Sequence, residues 1–395
     1  MPTLETPHRL RCALDFGIQP DRPHDVTREI QMALNRLDPD QVLLFLPAGR
    51  YAINDDLDLP PGTGLVGSRN GQSVLKGSGP YSPAIGQAPG SGDANRIESL
   101  HLHNVLIQVD HERPFVIRHN VLRHTASSRP QMYIPSGGAH LIESNVLWRE
   151  PGNSGAGIQL GLSPEVWWRR GVPGTIIIRG NLIGAVDTRD VRKYQHERSD
   201  AEELAEKVLG ADWDARGLGH YRGAIATAEP IPATIEGNWM ALSHDMREHP
   251  SLADFLSPRQ LQLQRNLFLG EHGTVTFRSP VETQVRGNVF NGISVSFGSF
   301  DSAPTKLTQV EDNWFRGFPV RVVSAVNGAG AEHTTPDDLV FTKNLVTDPP
   351  EDAPLCGYEF PTPQVGTRNF SVEPGRSLSA YRTATWGEPL SVCSE

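Results

Sequence analysis

An asparagine followed by two apolar residues recurs along most of this chain, and this repeat limits the folds that are possible. An aliphatic residue or Phe lies three positions before each regular copy, and a shifted copy occurs at Asn104. From Asn104 onward the copies are 16, 25, 36, 57, 28, 22, 25 and 31 residues apart, and such periods are typical of solenoids. The regular copies are centred on Asn120, Asn145, Asn181, Asn238, Asn266, Asn288, Asn313 and Asn344.

The residues around each Asn predict short β-strands. Apolar and polar residues alternate before the Asn, as in Leu261-Gln-Leu263, with the period of a strand. A second strand follows a Gly-containing turn, as in 157–160, 273–277 and 292–297. Asn tolerates the left-handed conformation and suits a bend between strands, and stacked Asn side chains can form a hydrogen-bonded ladder. We therefore expect stacked rungs of two or three strands around one core.

The start of the chain adds a second pattern. Asp15-Phe16-Gly17 precedes an amphipathic segment at 25–31, and a strand-like segment at 42–51 follows. With the repeat, these segments resemble the right-handed parallel β-helix of the pectate-lyase-like superfamily, over about residues 12–346. The usual Gly-Asp-Gly before the helix is absent. The resemblance implies an all-β fold whose N-terminal helix covers the end of the core; Asp25 can cap that helix, with Ile30, Ala33, Leu34 and Leu37 on its apolar face.

The expected organisation is one solenoid with a cap and a tail. Residues 1–60 form the N-terminal cap (strand, helix, strand), and residues 61–346 form the parallel β-helix. The Pro-rich residues 347–395 form an irregular C-terminal tail. The β-helix has insertions at about 161–174, 184–222 and 241–260. Because consecutive rungs lie about 4.8 Å apart, we expect these insertions to converge on one side, and loops on a rigid scaffold are where functional sites are usually built.

The first insertion is suited to binding sugars. Trp167 and Trp168 can stack on sugar rings, while Arg169 and Arg170 can pair with carboxylates. A packed Trp beside a solvated Arg pair is the structural alternative. His220, Tyr221 and Arg222 close the second insertion just before a strand-like segment and are further substrate-binding candidates.

The second and third insertions carry the residue types that uronic-acid chemistry requires. A cation must neutralise the carboxylate and thereby acidify the C5 proton, and a base must remove that proton. A solvated helix entry and an ordinary polar turn are the alternatives for these two segments. The catalytic candidates are Asp187, Arg189, Asp190, Arg192, Lys193 and Tyr194 in the second insertion and His244, Asp245 and Arg247 in the third.

The favoured function is β-elimination on an acidic, uronate-containing polysaccharide. In that reaction Arg189, Arg192 or Arg247 would neutralise the carboxylate, and Lys193, Tyr194 or His244 would abstract the C5 proton. Mannuronan-type C5 epimerisation shares this first step. Glycoside hydrolysis is an alternative that needs two carboxylates, which Asp187, Asp190, Asp245 or Glu248 could supply. A glycan-binding β-helix without catalysis is a further alternative, and it needs neither the cation and base of elimination nor the two carboxylates.

Composition limits partners and cofactors. The 395 residues carry a net charge of −10, which argues against a general nucleic-acid binder, and no apolar run is long enough to span a membrane. The three cysteines exclude a disulfide scaffold, although Cys356 and Cys393 could pair. By analogy with related lyases, Ca²⁺ is a possible cofactor held by Asp187, Asp190 and Asp245. A cytoplasmic location and export with a removed signal both remain open.

Overall fold

In the computed structural model, the chain divides into two compact units, unit 1 over Met1–Tyr221 and unit 2 over Arg222–Glu395. The structure describes residues 9–37, 42–68, 71–78, 82–109, 111, 113–124, 129–135, 137–149, 156–161, 175–184, 224–227, 231–241, 251–256, 258–298, 307–316, 320–323, 339–347 and 370–372.

Unit 1 is built from rungs of three short strands, and each strand pairs in parallel with the equivalent strand of the next rung. Column 1 contains β1 (Arg9–Cys12), β2 (Val42–Phe45), β5 (Gly64–Val66), β8 (Asn95–Glu98), β11 (Phe115–Arg118), β14 (Leu141–Glu143) and β17 (Ile176–Arg179). Column 2 contains β3 (Gly49–Ile53), β6 (Ser73–Gly77), β9 (His101–His103), β12 (Val121–His124), β15 (Val146–Arg149) and β18 (Leu182–Gly184). Column 3 contains β4 (Leu57–Leu59), β7 (Ala84–Gln87), β10 (Leu106–Gln108), β13 (Met132–Ile134) and β16 (Ile158–Leu160).

Unit 2 repeats the same three columns with parallel pairing throughout. Column 1 contains β20 (Ala233–Glu236), β23 (Gln262–Gln264), β25 (Gln284–Arg286), β27 (Thr308–Glu311) and β30 (Leu339–Thr342). Columns 2 and 3 share β24 (Leu267–Arg278) and β26 (Val289–Gly298), which run through both. Column 2 adds β21 (Trp239–Ala241), β28 (Trp314–Arg316), β31 (Leu345–Thr347) and β32 (Phe370–Val372), and column 3 adds β19 (Ile225–Thr227), β22 (Ser251–Leu256) and β29 (Val320–Val323).

The core consists of inward rows that the strand alternation stacks in register. Column 1 of unit 1 stacks aliphatic residues, for example Ile97, Ile117 and Ile142, all fully buried. In unit 2, column 1 is also aliphatic, while columns 2 and 3 stack aromatic rings, with Phe268–Phe290 centroids 4.7 Å apart. Because each rung buries its inward side chains against the rungs beside it, the repeat supplies one continuous apolar interior.

The predicted Asn ladder is confirmed in both units. In unit 2, the backbone and side-chain amides of Asn266 each donate to Oδ1 of Asn288, at 2.9 and 3.0 Å, and those of Asn288 donate likewise to Asn313. In unit 1 the same bonds join Asn145 to Asn181. These side chains are buried, so the ladder satisfies polar groups that water cannot reach.

Two expectations about the repeat were wrong. The left-handed conformation belongs to the residue before the ladder Asn, for example His119 with φ 56° and Gly180 with φ 61°, because the Asn itself must point inward to the ladder. The shifted copy at Asn104 is not a ladder residue, since Leu100 takes that position and donates its backbone N–H to Asn120 Oδ1.

The N-terminal helix α1 (Thr27–Leu34) is present and packs beside β4. Its predicted apolar residues are buried. The N-cap residue is Val26 and not Asp25, although Asp25 accepts a hydrogen bond from the Thr27 backbone N–H at 3.0 Å. Asp15 and Phe16, which the resemblance placed in a strand, instead end a 3-10 helix over Ala13–Phe16, because Gly17 with φ 77° closes that turn.

The third insertion is shorter than expected. Ser251–Leu256, inside the predicted range 241–260, is the regular strand β22. In the predicted tail, β32 continues column 2 by pairing with β31, while Cys356 and Cys393 lie outside the described residues. Across the described part of the chain, no helix combines the length and apolar character required to cross a membrane.

Candidate functional site

All the candidate residues chosen from the insertions lie outside the residues that the structure describes. Their roles therefore remain predictions. They are Trp167, Trp168, Arg169, Arg170, Asp187, Arg189, Asp190, Arg192, Lys193, Tyr194, His220, Tyr221, Arg222, His244, Asp245 and Arg247, together with Glu248.

The strand order shows which column these insertions join. In unit 1, residues 162–174 follow directly on the column 3 strand β16. In unit 2, the chain enters the column 3 strands β19 and β22 directly after the segments ending at 223 and 250. Each insertion therefore borders the end of a column 3 strand, which makes the outer face of column 3 the candidate site.

In unit 1 the outer face of column 3 presents a row of polar side chains. Gln108 is in register with Tyr133, and Tyr133 is in register with Gln159. Met132 and Ile134 on either side of Tyr133 are fully buried, so alternation directs the Tyr133 side chain outward. Successive rungs thus place one hydrogen-bonding side chain each at the same level.

Arg129 joins this row from the turn that leads into β13. Gln131 anchors the turn because it is fully buried and donates to the carbonyls of Leu122 and Trp148, at 3.1 and 2.7 Å. Pro130 restricts the backbone between Arg129 and Gln131. The exposed Arg129 therefore lies two residues from a side chain that is anchored in the sheet.

These residues enclose a pocket of about 180 Å³, the column 3 pocket. A guanidinium can bind a carboxylate, the amides of Gln108 and Gln159 can bind hydroxyl groups, and the Tyr133 ring can stack on a sugar face. The combination suits an acidic sugar. Its lining residues are Leu106, Ile107, Gln108, Arg129, Pro130, Tyr133 and Gln159.

In unit 2 the outer face of column 3 carries a charged pair. Asp254 lies in register with Thr276, and its Oδ2 accepts a hydrogen bond from Arg278 at 2.9 Å. The other carboxylate oxygen, Oδ1, is buried and has no hydrogen-bond partner among the described residues. This unpartnered oxygen is an unusual feature for a carboxylate that is only partly exposed.

Burial raises the pKa of Asp254 above its usual value, and the nearby Arg278 opposes the rise only in part. A carboxyl group in this environment holds a proton more readily than a surface aspartate. Such a group is suited to donate a proton to a leaving oxygen, which is the role of a general acid.

A metal site cannot be built from the part of the chain that the structure describes. Among those residues, no group of three or more His, Cys, Asp or Glu side chains is placed to hold an ion. The predicted Ca²⁺ ligands Asp187, Asp190 and Asp245 lie outside those residues, so that prediction is untested.

None of the residues that line the column 3 pocket was a candidate from the sequence, because the candidates were taken from the insertions. A usable signal was present: the triplets Met132-Tyr-Ile134 and Ile158-Gln-Leu160 each place one polar residue between two apolar ones, one rung apart. Two such triplets in register predict an outward polar row. The register itself is not visible in the sequence, because turn lengths vary between rungs.

The fold defines a protein of the parallel β-helix class, and comparisons with known proteins agree with the resemblance drawn from the sequence. A family model described as Rhamnogalacturonase A/epimerase, pectate lyase-like, matches residues 10–150. A search of curated protein sequences gave no match.

Two solved structures are similar in fold. PfbA, a surface adhesin of Streptococcus pneumoniae, is 12% identical with a TM-score of 0.50, and the alignment covers 86% of this chain and 90% of that one. The PL6 family polysaccharide lyase Pedsa3628 from Pseudopedobacter saltans is 9% identical with a TM-score of 0.50, covering 93% and 96%. At these identities the likeness concerns the fold alone.

Proposed function

We propose that this protein binds an acidic polysaccharide over the outer face of column 3 and cleaves it by β-elimination. The observation that carries the proposal is the column 3 pocket, where Arg129, Tyr133 and two Gln side chains surround a space suited to a uronate ring. The family match at residues 10–150, whose description names sugar-chain enzymes, supports the substrate class.

The reaction divides between binding and proton transfer. Arg129 pairs with the substrate carboxylate, which stabilises the negative charge that develops when the C5 proton leaves. Lys193 or Tyr194, in the same unit as Arg129, takes that proton, while Arg189 or Arg192 can add a second cation. The C5–H electrons form the C4–C5 double bond, the C4–O bond breaks, and the leaving oxygen acquires a proton from an acid.

In this proposal, Tyr133 assists the departure of the leaving group. A neutral phenol can donate its proton to the departing oxygen, and its ring holds the sugar in position. Replacing Tyr133 with Phe retains the ring and removes the proton, so the two contributions can be separated.

Glycoside hydrolysis is the second candidate, and Asp254 is the observation that favours it. A hydrolase needs one protonated carboxyl and one ionised carboxylate on the same sugar linkage. The raised pKa of Asp254 suits the first role. Asp245 or Glu248, in the same unit as Asp254, would have to supply the second.

Ultraviolet absorbance of the unsaturated product distinguishes these reactions. We would incubate the protein with polygalacturonate and with alginate, with Ca²⁺ or with a chelator, and measure absorbance and new reducing ends. A lyase raises both signals, and Arg129→Ala and Tyr133→Phe should each lower kcat/KM at least about tenfold. Arg118→Ala, on the outer face of column 1, is the matched control and should leave activity unchanged.

The other outcomes decide against elimination. New reducing ends without absorbance, lost in Asp254→Asn, would assign hydrolysis. Inversion at C5 without cleavage, detected by NMR, would assign epimerisation. Binding that depends on Arg129 with no product from either polymer would assign a glycan-binding protein.

A further inference from the structure

The outer face of column 2 in unit 1 carries a second row of side chains, separate from the column 3 pocket. Lys76 is in register with His103, His103 with Arg123, and Arg123 with Trp148. Leu102 and Leu122, next to the middle two, are fully buried, so alternation places the row residues on the outer face. We call Lys76, His103, Arg123 and Trp148 the column 2 row.

No acidic side chain belongs to the column 2 row, although the whole chain carries a net charge of −10. Two arginines lie near His101, which is two residues from His103 on the same strand. Burial is the main reason that the pKa of His101 is lowered to about 4, and His103, Arg123 and Arg50 lower it further.

Column 1 of the same unit offers a direct contrast. Its outer row alternates acids and bases in register, Glu98 with Arg118 and Glu143 with Arg179. Arg118 pairs with Glu98 at 3.1 Å and Arg179 with Glu143 at 2.6 Å. These ion pairs balance acids and bases within column 1, whereas the column 2 row itself consists of a lysine, a histidine, an arginine and a tryptophan.

The aromatic end of the row is pre-organised. The Arg123 guanidinium lies 4.3 Å from the centroid of the Trp148 ring, a cation–π contact that orients both groups. Trp148 Nε1 is buried and has no hydrogen-bond partner among the described residues. The guanidinium thus covers one face of the ring, and its N–H groups at that fixed position can pair with the acidic group of a sugar.

We propose that the column 2 row is a binding surface for an anionic glycan chain that runs along the solenoid axis, independent of any chemistry at column 3. Strands in a sheet are about 4.8 Å apart, which is comparable to the length of one pyranose in an extended chain. Each rung would then contact one sugar. Single-stranded nucleic acid fits less well, because its binding surfaces offer several aromatic platforms and this row has one.

The test uses binding rather than activity, so that it stands or fails separately from the proposed lyase. The full chain would be titrated with heparin, with polygalacturonate and with single-stranded DNA at a fixed salt concentration. The double variant Lys76→Gln/Arg123→Gln should bind heparin or polygalacturonate about tenfold more weakly. The matched control Arg118→Gln/Arg179→Gln removes the same charge from column 1 and should bind as the parent does.

Thermal unfolding and circular dichroism would confirm that both double variants fold. If the variant with Arg123→Gln does not fold, Lys76→Gln alone, at an exposed position, takes its place in the test. Equal losses in the column 1 and column 2 variants would overturn the proposal, because they would show a general charge effect. Binding of DNA at least as tight as that of both glycans, lost in the same variant, would overturn the glycan assignment. Loss of binding in Arg129→Ala with none in the column 2 variant would place all glycan binding at column 3 and overturn the second surface.

Discussion

The two units use the same rung but fill it differently. In unit 2 the Asn ladder runs without a break from Asn238 to Asn344, and the rings of Phe255, Phe277 and Phe297 stack with centroids 5.0 and 4.6 Å apart. In unit 1 the ladder ends at Leu100, and its core rows are aliphatic. Regular repetition gives every buried group an identical partner on the next rung.

Unit 1 contains buried polar groups that unit 2 lacks among the described residues. Arg113 is buried and donates to Asn95 Oδ1 and to the carbonyls of Ala88 and Gly90. His140 is also buried. Both candidate binding surfaces with several polar side chains also lie in unit 1. The comparison indicates that departures from strict repetition are where the chain accommodates polar groups, at a cost in stability that the regular rungs offset.

The largest expected effect comes from breaking the ladder at its centre. Asn288→Leu removes the acceptor for both Asn266 amides and the donors to Leu263 and Asn313, so it should cost about 3–5 kcal/mol in the free energy of unfolding. Asn120→Leu should cost less, because Leu100 already takes the next position. Urea unfolding measures both, and equal costs would contradict the view that the ladder ends at Leu100.

The buried arginine comes next. Arg113→Ala leaves the acceptor groups of Asn95, Ala88 and Gly90 without their donor and should cost about 2–4 kcal/mol. Arg113→Lys should not restore the lost stability, because the Lys ammonium cannot place its donors as the planar guanidinium does. Arg179→Ala, which removes a half-exposed ion pair, is the control and should cost less than about 1 kcal/mol. Similar losses at the two sites would show that burial of Arg113 contributes little.

The buried histidine makes unit 1 sensitive to acid. Burial lowers the pKa of His140 from 6.5 to about 4; the Gly137 backbone opposes this in part, although neither ring nitrogen has a well-formed hydrogen bond among the described residues. Between those pH values the unfolded chain binds the proton and the folded chain does not. Stability is therefore complete above pH 6.5 and is lost as the pH falls towards 4, by about 2 kcal/mol between pH 7 and pH 5.

Unfolding of His140→Leu at several pH values measures that contribution. The variant should show a smaller loss on acidification than the parent. His24→Gln, at an exposed position, should retain the parent's dependence. An unchanged pH dependence in His140→Leu would mean that the ring is protonated in the folded state.

The smallest effect concerns the bend before the ladder. His119 holds φ at 56°, where three other rungs have Gly180, Gly237 and Gly287, so His119→Gly should stabilise the protein by up to about 1 kcal/mol. Gly237→Ala is the reciprocal change. A Cβ at this position meets no atom within 4 Å, so the expected destabilisation of about 1 kcal/mol measures the backbone strain alone. Denaturant midpoints measure both, and shifts of the same sign would contradict this explanation.

Much of the fold could be predicted from local sequence. The Asn repeat, the alternation around it and the amphipathic segment after Asp25 predicted the rung, the ladder and the capping helix. The position of the left-handed residue was mispredicted, because Asn is suited both to that conformation and to the ladder, and only burial decides between them. Ser251–Leu256 was assigned to an insertion because its strand does not precede a ladder Asn at the usual distance.

The sequence by itself determined the class of fold. The ladder Asn must meet an equivalent residue on the next rung, so it recurs along the chain once per rung. The tertiary structure alone decided which side chains meet on the outer faces. Gln108, Tyr133 and Gln159 share one level of column 3, and Lys76, His103, Arg123 and Trp148 share one level of column 2. These alignments depend on the parallel hydrogen-bond register between rungs joined by turns of unequal length, and no local pattern specifies that register.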